Sequence, residues 1–287
     1  MLHFDKQEFQ DKFNRVHFQL THDLVDQPEF SLPRLIELAK QTAETRPDDL
    51  YCDVGQVEIG QRWETIAKAA LPIDELIRRI ETQGAWIVLW RAERDPAYSA
   101  MLTQVISDIL EMTGREVDRI IKKKEIILFI TSPNRITTYH IDRECNFLLQ
   151  IKGQKEISVF SREDREVLPE TELERFWTAD NNAPIYRPHF QDRADVVMLN
   201  PGTGIHIPVN APHWLKNGDN ISVTASFNFQ FRDSVRADLY RANYYFRRLG
   251  LHPRPPFASP VADVVRQPLG ALAYKARQLY WGPRPRD

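Results

Sequence analysis

The side chains best suited to chemistry cluster in Thr137-Thr138-Tyr139-His140-Ile141-Asp142 and at fixed places after it. Residues two apart on a β-strand point to one face, so a His-X-Asp on a strand aims an imidazole and a carboxylate at one point. A second imidazole from another strand would complete two histidines and one carboxylate on one side of an ion. That donor set, with its open positions, suits a metal such as non-haem Fe(II). The pair His140/Asp142 alone carries little weight, because a chain with eight histidines produces a His-X-Asp readily by chance. Its context decides.

Downstream, Pro201-Gly202 opens a segment that runs through His206 and Pro208 to Pro212-His213-Trp214. His206 sits inside an apolar alternation, where a hydrogen-bonded structural histidine is expected. His213 follows a proline beside a turn, where a ligand reaches an ion more easily, and is the expected third ligand. His17 and His22 have no partner at ligand spacing and read as histidines of a strand edge and a turn. Lys155 lies fifteen residues past His140, in a strand expected to pair next to the His-X-Asp strand. A lysine pointing into a barrel is costly unless it meets an anion. A dicarboxylate would supply one, and the Thr137 hydroxyl could bond to the same carboxylate. The competing reading turns Lys155 to solvent.

Elements able to position these groups are legible along the chain. Val16–Leu20 alternates like a strand. Ser31 and Pro33 start a helix that runs to about Thr45. A second helix covers Asp74 to Ile80 and closes near Gly84. Ala85–Trp90 is an apolar run consistent with a buried strand. Asp95-Pro96 begins a helix whose stripe of Tyr98, Met101, Leu102, Val105, Ile106 and Ile109 is core, with Gly114 ending it. Lys122-Lys123-Lys124 reads as a solvated strand edge. From there the β pattern dominates: Glu125–Ile130, Asn146–Ile151, a turn at Lys152-Gly153-Gln154, and Lys155–Phe160. Ser161–Asp195 is polar, with one short helix near Pro169 to Phe176. A stretch this long inside a β core is commonly a lid or binding loop, so Trp177, Tyr186, Arg187 and His189 are candidates to line a pocket. Val196–Leu199 follows, Asn217-Gly218 reads as a tight hairpin turn, and Ile221–Phe231 is the longest alternation. An amphipathic helix over Val235–Leu249 ends at Gly250, and a last helix covers about Leu269 to Tyr280.

The chain has 287 residues, enough to bury a full core, and its 42% apolar and 27% charged content is that of an ordinary globular protein. Nothing approaches a membrane-spanning run, and the first residues do not read as a signal peptide. Two cysteines, Cys52 and Cys145, require no disulfide framework, so a reducing, cytoplasmic setting is expected. The net charge of −2 gives no general attraction to nucleic acid, and no helix-turn-helix pattern is present. From Phe231 onward eleven Lys/Arg face four Asp/Glu, a local +7, so the remainder carries −9. The simplest reading is a basic tail packed on an acidic body, with an anionic partner as the alternative.

Thr137-X-X-His140-X-Asp142, Asn146-Phe147, Gln150-Ile151-Lys152-Gly153-X-Lys155, Pro201-Gly202, Ile207-Pro208, His213 and Asn228 together resemble the cupin-like, JmjC-type hydroxylases. The chain resembles the asparaginyl hydroxylase that inhibits hypoxia-inducible factor and its bacterial cupin-like relatives, over about Ile126 to Phe229. The resemblance implies an α+β protein with a double-stranded β-helix (jelly-roll) core and flanking helices. It places the catalytic domain at 1–230 and a helical segment, often a dimerisation element, at 231–287. It also implies Fe(II) held by His140, Asp142 and His213, and 2-oxoglutarate held by Lys155 and Thr137, with Asn146 and Asn228 lining the pocket. The implied activity is an O2-dependent hydroxylation of a C–H on a peptide, a protein side chain or an amino-acid-like metabolite, giving succinate and CO2; N-demethylation is open to the same chemistry. A metal-dependent cupin without 2-oxoglutarate (an isomerase or lyase) and a non-catalytic ligand-binding regulator are the alternatives. No nucleic-acid or membrane partner is expected.

Overall fold

A computed structural model of the chain describes residues 1–113, 121–232 and 235–281. Two compact units emerge: Met1–Ser161 with Tyr186–Phe231, and Arg162–Ile185 with Arg232–Asp287. The first holds β1 (Leu2–His3), α1 (Lys6–Lys12), β2 (Phe18–His22), α2 (Leu32–Thr45), β3 (Leu50–Asp53), α3 (Ile73–Arg78), β4 (Trp86–Leu89), α4 (Pro96–Thr113), β5 (Ile121–Thr131), β6 (Ile136–His140), β7 (Cys145–Lys152) and β8 (Lys155–Val159). In the second, α5 (Glu170–Thr178) follows. The chain returns to the first unit for β9 (Asp195–Leu199), β10 (Thr203–Ile207), β11 (His213–Asn217) and β12 (Ser222–Phe231). The second unit is completed by α6 (Val235–Arg248) and α7 (Pro260–Trp281).

The strands form two antiparallel sheets, so the architecture is α+β. The larger runs β1-β2-β10-β7-β12-β5-β4-β3, and the smaller runs β6-β11-β8-β9. Alternation along β12 explains the layers. Val223, Ala225, Phe227 and Phe229 join Phe147, Leu149, Ile126, Leu128 and Ile130 in a core shared with α1, α2 and α4. The opposite face of the same strands contributes Leu148, Ile205 and Ile207 to a second core, against Ile157, Val159, Leu199 and Leu215 of the smaller sheet. The two sheets therefore pack face to face. The α4 stripe is buried as expected at Tyr98, Met101, Leu102, Val105 and Ile109; Gly114 lies outside the described residues.

Several elements differ from the sequence reading. The first long strand begins at Phe18 rather than Val16, because Arg15 and Val16 still donate to the Lys12 carbonyl and extend the turn after α1. The last helix starts at Pro260 and carries Pro268 inside it, at the loss of one backbone hydrogen bond. Asn217-Gly218 is no hairpin, since β11 and β12 belong to different sheets. The Asn217 amide instead donates to Thr131 Oγ1 and the Ser132 carbonyl, tying the end of β11 to the end of β5. Nor does β8 pair with β6, because β11 lies between them.

Gly153, in the β7–β8 turn, has φ +73°, and a Cβ there would collide with Asn220 Oδ1 and the Ile221 carbonyl. Gly202 has φ +85° but more room, with its nearest neighbour 3.6 Å from a built Cβ. Gly153→Ala is therefore expected to destabilise by about 2 kcal/mol or more, against about 1 kcal/mol for Gly202→Ala. Paired urea denaturations check the order; equal midpoints would refute it.

Candidate metal centre

The centre begins with a register shift. His213 pairs with His140, and Leu215 pairs with Thr137, so two steps on β11 match three on β6. Directly paired residues share a face, and Leu215 belongs to the core between the sheets. The extra residue in β6 thus turns both Thr137 and His140 inward, although three positions separate them. Asp142 lies just past the end of β6, not on the strand itself. Ligand-capable atoms of His140, Asp142 and His213 all lie within 4.8 Å of one another. Asp142 Oδ1 is 3.8 Å from His140 Nε2, and its Oδ2 is 3.6 Å from His213 Nε2.

Backbone carbonyls orient both imidazoles. His140 Nδ1 is 2.6 Å from the Thr138 carbonyl, and His213 Nδ1 is 3.0 Å from the Ala211 carbonyl. A carbonyl only accepts, so each Nδ1 carries the proton and each Nε2 keeps its lone pair for the shared point. Burial, and secondarily the neighbouring His140, push the His213 pKa down to about 4, which keeps that ring neutral. Two imidazole nitrogens and a carboxylate oxygen fit a divalent transition metal. The Asp142 side chain is 34% exposed, against 4% for His213, so the centre opens on the Asp142 side.

His206 is fully buried among the rings of Phe13, Phe18 and Phe147. Its Nε2 accepts from the Asn14 amide and its Nδ1 donates to the Asn146 carbonyl, so both nitrogens are occupied away from the centre. His22 is similarly committed, to the Gln150 carbonyl and the Leu24 amide. His17 lies 3.5 Å from Asp195.

Inward-facing residues continue from the triad. Val159 pairs with His213 and Lys155 with Asn217, so Lys155 shares the inner face of β8 with Ile157 and Val159. Four residues of strand separate the two levels, about 13 Å. Lys155 is 4% exposed, and no hydrogen bond or ion pair holds it among the described residues. Burial alone pushes its pKa down to about 7. On the facing sheet Asn146 pairs with Asn228, and Asn228 with Glu125. Asn228 donates to the Ser226 carbonyl. Asn146 Nδ2 is 3.5 Å from Asp142 Oδ2, while its buried Oδ1 has no hydrogen-bond partner among the described residues.

Glu144 and Glu125 escaped the sequence reading. Burial, then Asp142, push Glu144 up to about 7. A run of ordinary charged residues gave no hint of this. The stretch expected to line a pocket behaves otherwise. Gln191 takes hydrogen bonds from Tyr186 and Trp214 and donates to Ser158, and Tyr186 packs on Tyr139. Ser158 and Trp214 alternate with the inward residues, so this segment covers the outer face of the smaller sheet. Trp177 packs within the second unit, against Phe176 and Arg241.

No family model matches the sequence, and no curated protein matches it. The fold is nonetheless similar to solved structures of YcfD from Escherichia coli. An X-ray structure of YcfD is 16% identical with a TM-score of 0.55, the match covering 99% of this chain and 70% of that one. YcfD, a ribosomal oxygenase, in complex with cobalt and 2-oxoglutarate is 16% identical with a TM-score of 0.52, covering 99% and 69%. The complex with cobalt and succinic acid is 14% identical with a TM-score of 0.51, covering 99% and 69%. At these identities the likeness to YcfD is one of fold.

Proposed function

We propose that the protein is an Fe(II)- and 2-oxoglutarate-dependent oxygenase that hydroxylates a C–H of a peptide, a protein side chain or an amino-acid-like metabolite. His140, Asp142 and His213 would hold the metal. Lys155 and Thr137 would hold the far carboxylate of the co-substrate, beside Asn146 and Asn228. On this reading the two facing sheets are a double-stranded β-helix, with the catalytic portion at 1–230. When bound, Fe(II) and 2-oxoglutarate supply from O2 the oxidising power for C–H hydroxylation, with succinate and CO2 as co-products.

The observation that carries the proposal is Lys155. The triad by itself would serve a metal-dependent isomerase or lyase equally well. A nine-tenths-buried lysine without a partner among the described residues, on the same inner face, calls for an anion. A five-carbon diacid chelating the metal would turn its far carboxylate toward that lysine, whose four-carbon side chain would cover part of the about 13 Å between the two levels. The rest is positioning: the Thr138 and Ala211 carbonyls hold the imidazoles in the ligating tautomer, and the apolar residues between the sheets keep water from the buried end of the pocket. YcfD being described as a ribosomal oxygenase supports a protein or peptide substrate.

The second unit supports self-association. On α7, Asp263 and Arg266 are buried, while Val261, Val264, Val265, Leu272 and Leu279 are exposed, between 62% and 88%. A helix that turns its apolar stripe to solvent suits a homodimer through this helical segment.

His140→Ala and Asp142→Ala are each expected to abolish succinate formation from 2-oxoglutarate, by a factor of about 10² or more; undiminished turnover in either rejects the metal assignment. The second expectation concerns pH. Binding the diacid requires the charged form of Lys155, so 2-oxoglutarate affinity should fall as pH rises through about 7, approaching about tenfold per pH unit. Lys155→Arg, which stays charged, should flatten that profile, and Lys155→Ala should weaken binding throughout. Calorimetric titration at several pH values decides, and a flat wild-type profile contradicts the role. For α7, Leu272→Glu is expected to convert a dimer to a monomer in light scattering; a wild-type monomer would exclude the dimer.

A further inference from the structure

The larger sheet is wider than the smaller one, and β5, β4 and β3 are its last three strands. Ile87, Leu89, Leu128 and Ile130 face the helical core, so the alternate residues face the side that carries the metal ligands. That side is aromatic. Trp86 and Phe129 stack at 5.9 Å, and Tyr51 makes edge contacts to Trp86, Trp90 and Trp63. Val88 is sealed beneath them, 1% exposed, whereas Tyr51, Trp86, Trp90 and Phe129 are only half-buried and Trp63 is exposed. The indole N–H groups of Trp63 and Trp86 donate to no acceptor among the described residues.

The wall lies on the same sheet face as the residues beside the candidate metal centre, about 13 Å of strand away. Phe129 and Ile127 continue along β5 to Glu125, which pairs with Asn228, the partner of Asn146. Aromatic rings that reach solvent, with indole N–H groups that have no acceptor among the described residues, are a surface on which extended, proline-containing chain can dock: ring faces take the pyrrolidines and indole donors take the backbone carbonyls. Asp53 and Glu125 are the charged side chains facing this side from β3 and β5, each with a cation already paired to it, Arg135 and Lys123. A phosphate backbone would find no uncommitted cation among them.

We propose that the β3–β4–β5 face is the docking surface for an extended, proline-containing stretch of a polypeptide substrate, flanking the residue that reacts. The assignment rests on the oxygenase reading for the word substrate, but the binding does not. The test uses the full chain with its six tryptophans labelled with 15N. The indole signals are followed while a decaproline peptide, a glycine-serine decamer or an oligouridine is added. Decaproline is expected to shift the Trp63 and Trp86 signals saturably, with no response to the glycine-serine decamer. Trp63→Ala, at an exposed position, should weaken that binding about fivefold or more while the other indole signals stay in place. Unmoved Trp63 and Trp86 signals, an equal response to the glycine-serine decamer, a response to oligouridine in place of decaproline, or wild-type affinity in Trp63→Ala would each overturn the proposal. If decaproline binds as expected but 2-oxoglutarate is never turned over, the oxygenase reading fails and the docking surface stands.

Discussion

One register shift organises this site. Had β6 paired with β11 without its extra residue, the inward turn of His140 would have sent Thr137 to the outer face. The slip of one residue lets two side chains three apart share a pocket wall opposite Leu215 and His213. Everything near the centre builds on that slip: the carbonyls two residues before each histidine set the tautomers, and Asp142, beyond the strand end, closes the third side.

The inner face of the smaller sheet then changes character along its length. At one end sit His140, Asp142 and His213, with Asp142 half-exposed. In the middle Ile157 and Leu215 close the core, and Lys155 lies sealed beyond them. Burying an ammonium without a counter-charge costs several kcal/mol, and the unmatched Oδ1 of Asn146 adds to the cost. Lys155 and Asn146 are thus two uncompensated polar groups, among the described residues, on inner faces that also carry Gln150, Thr224, Ser226 and Asn228, and an anionic guest is what we propose to satisfy them. The outer face is the reverse: Gln191 satisfies Tyr186, Trp214 and Ser158 at once.

Much of this was legible in the residue order, for identifiable reasons. The α4 stripe and the β12 alternation are long and strongly periodic, so both were readable as elements. His206 was separable from His213 because an apolar alternation buries its middle residue. The β6 slip was not readable, since a bulge leaves no mark in the pattern of Ile136 to His140. The place of β11 between β6 and β8 was hidden as well, because strand order depends on pairings distant in sequence. Trp86 was read as part of a buried run; only sheet width reveals that half of that run faces an open wall. The start of α7 is not legible either: the helical pattern reads from about Leu269, whereas the helix begins at Pro260 and passes through Pro268.

The central claim is that three side chains hold a metal while Lys155 holds the far end of a diacid. A crystal structure of the protein soaked with Fe(II) and 2-oxoglutarate in the absence of oxygen tests it most directly. The account predicts one ion bonded to His140 Nε2, His213 Nε2 and an Asp142 carboxylate oxygen, with the distal carboxylate of 2-oxoglutarate on Lys155 Nζ. An ion bound without any one of those three side chains, or a co-substrate whose distal carboxylate lies away from Lys155, would contradict it.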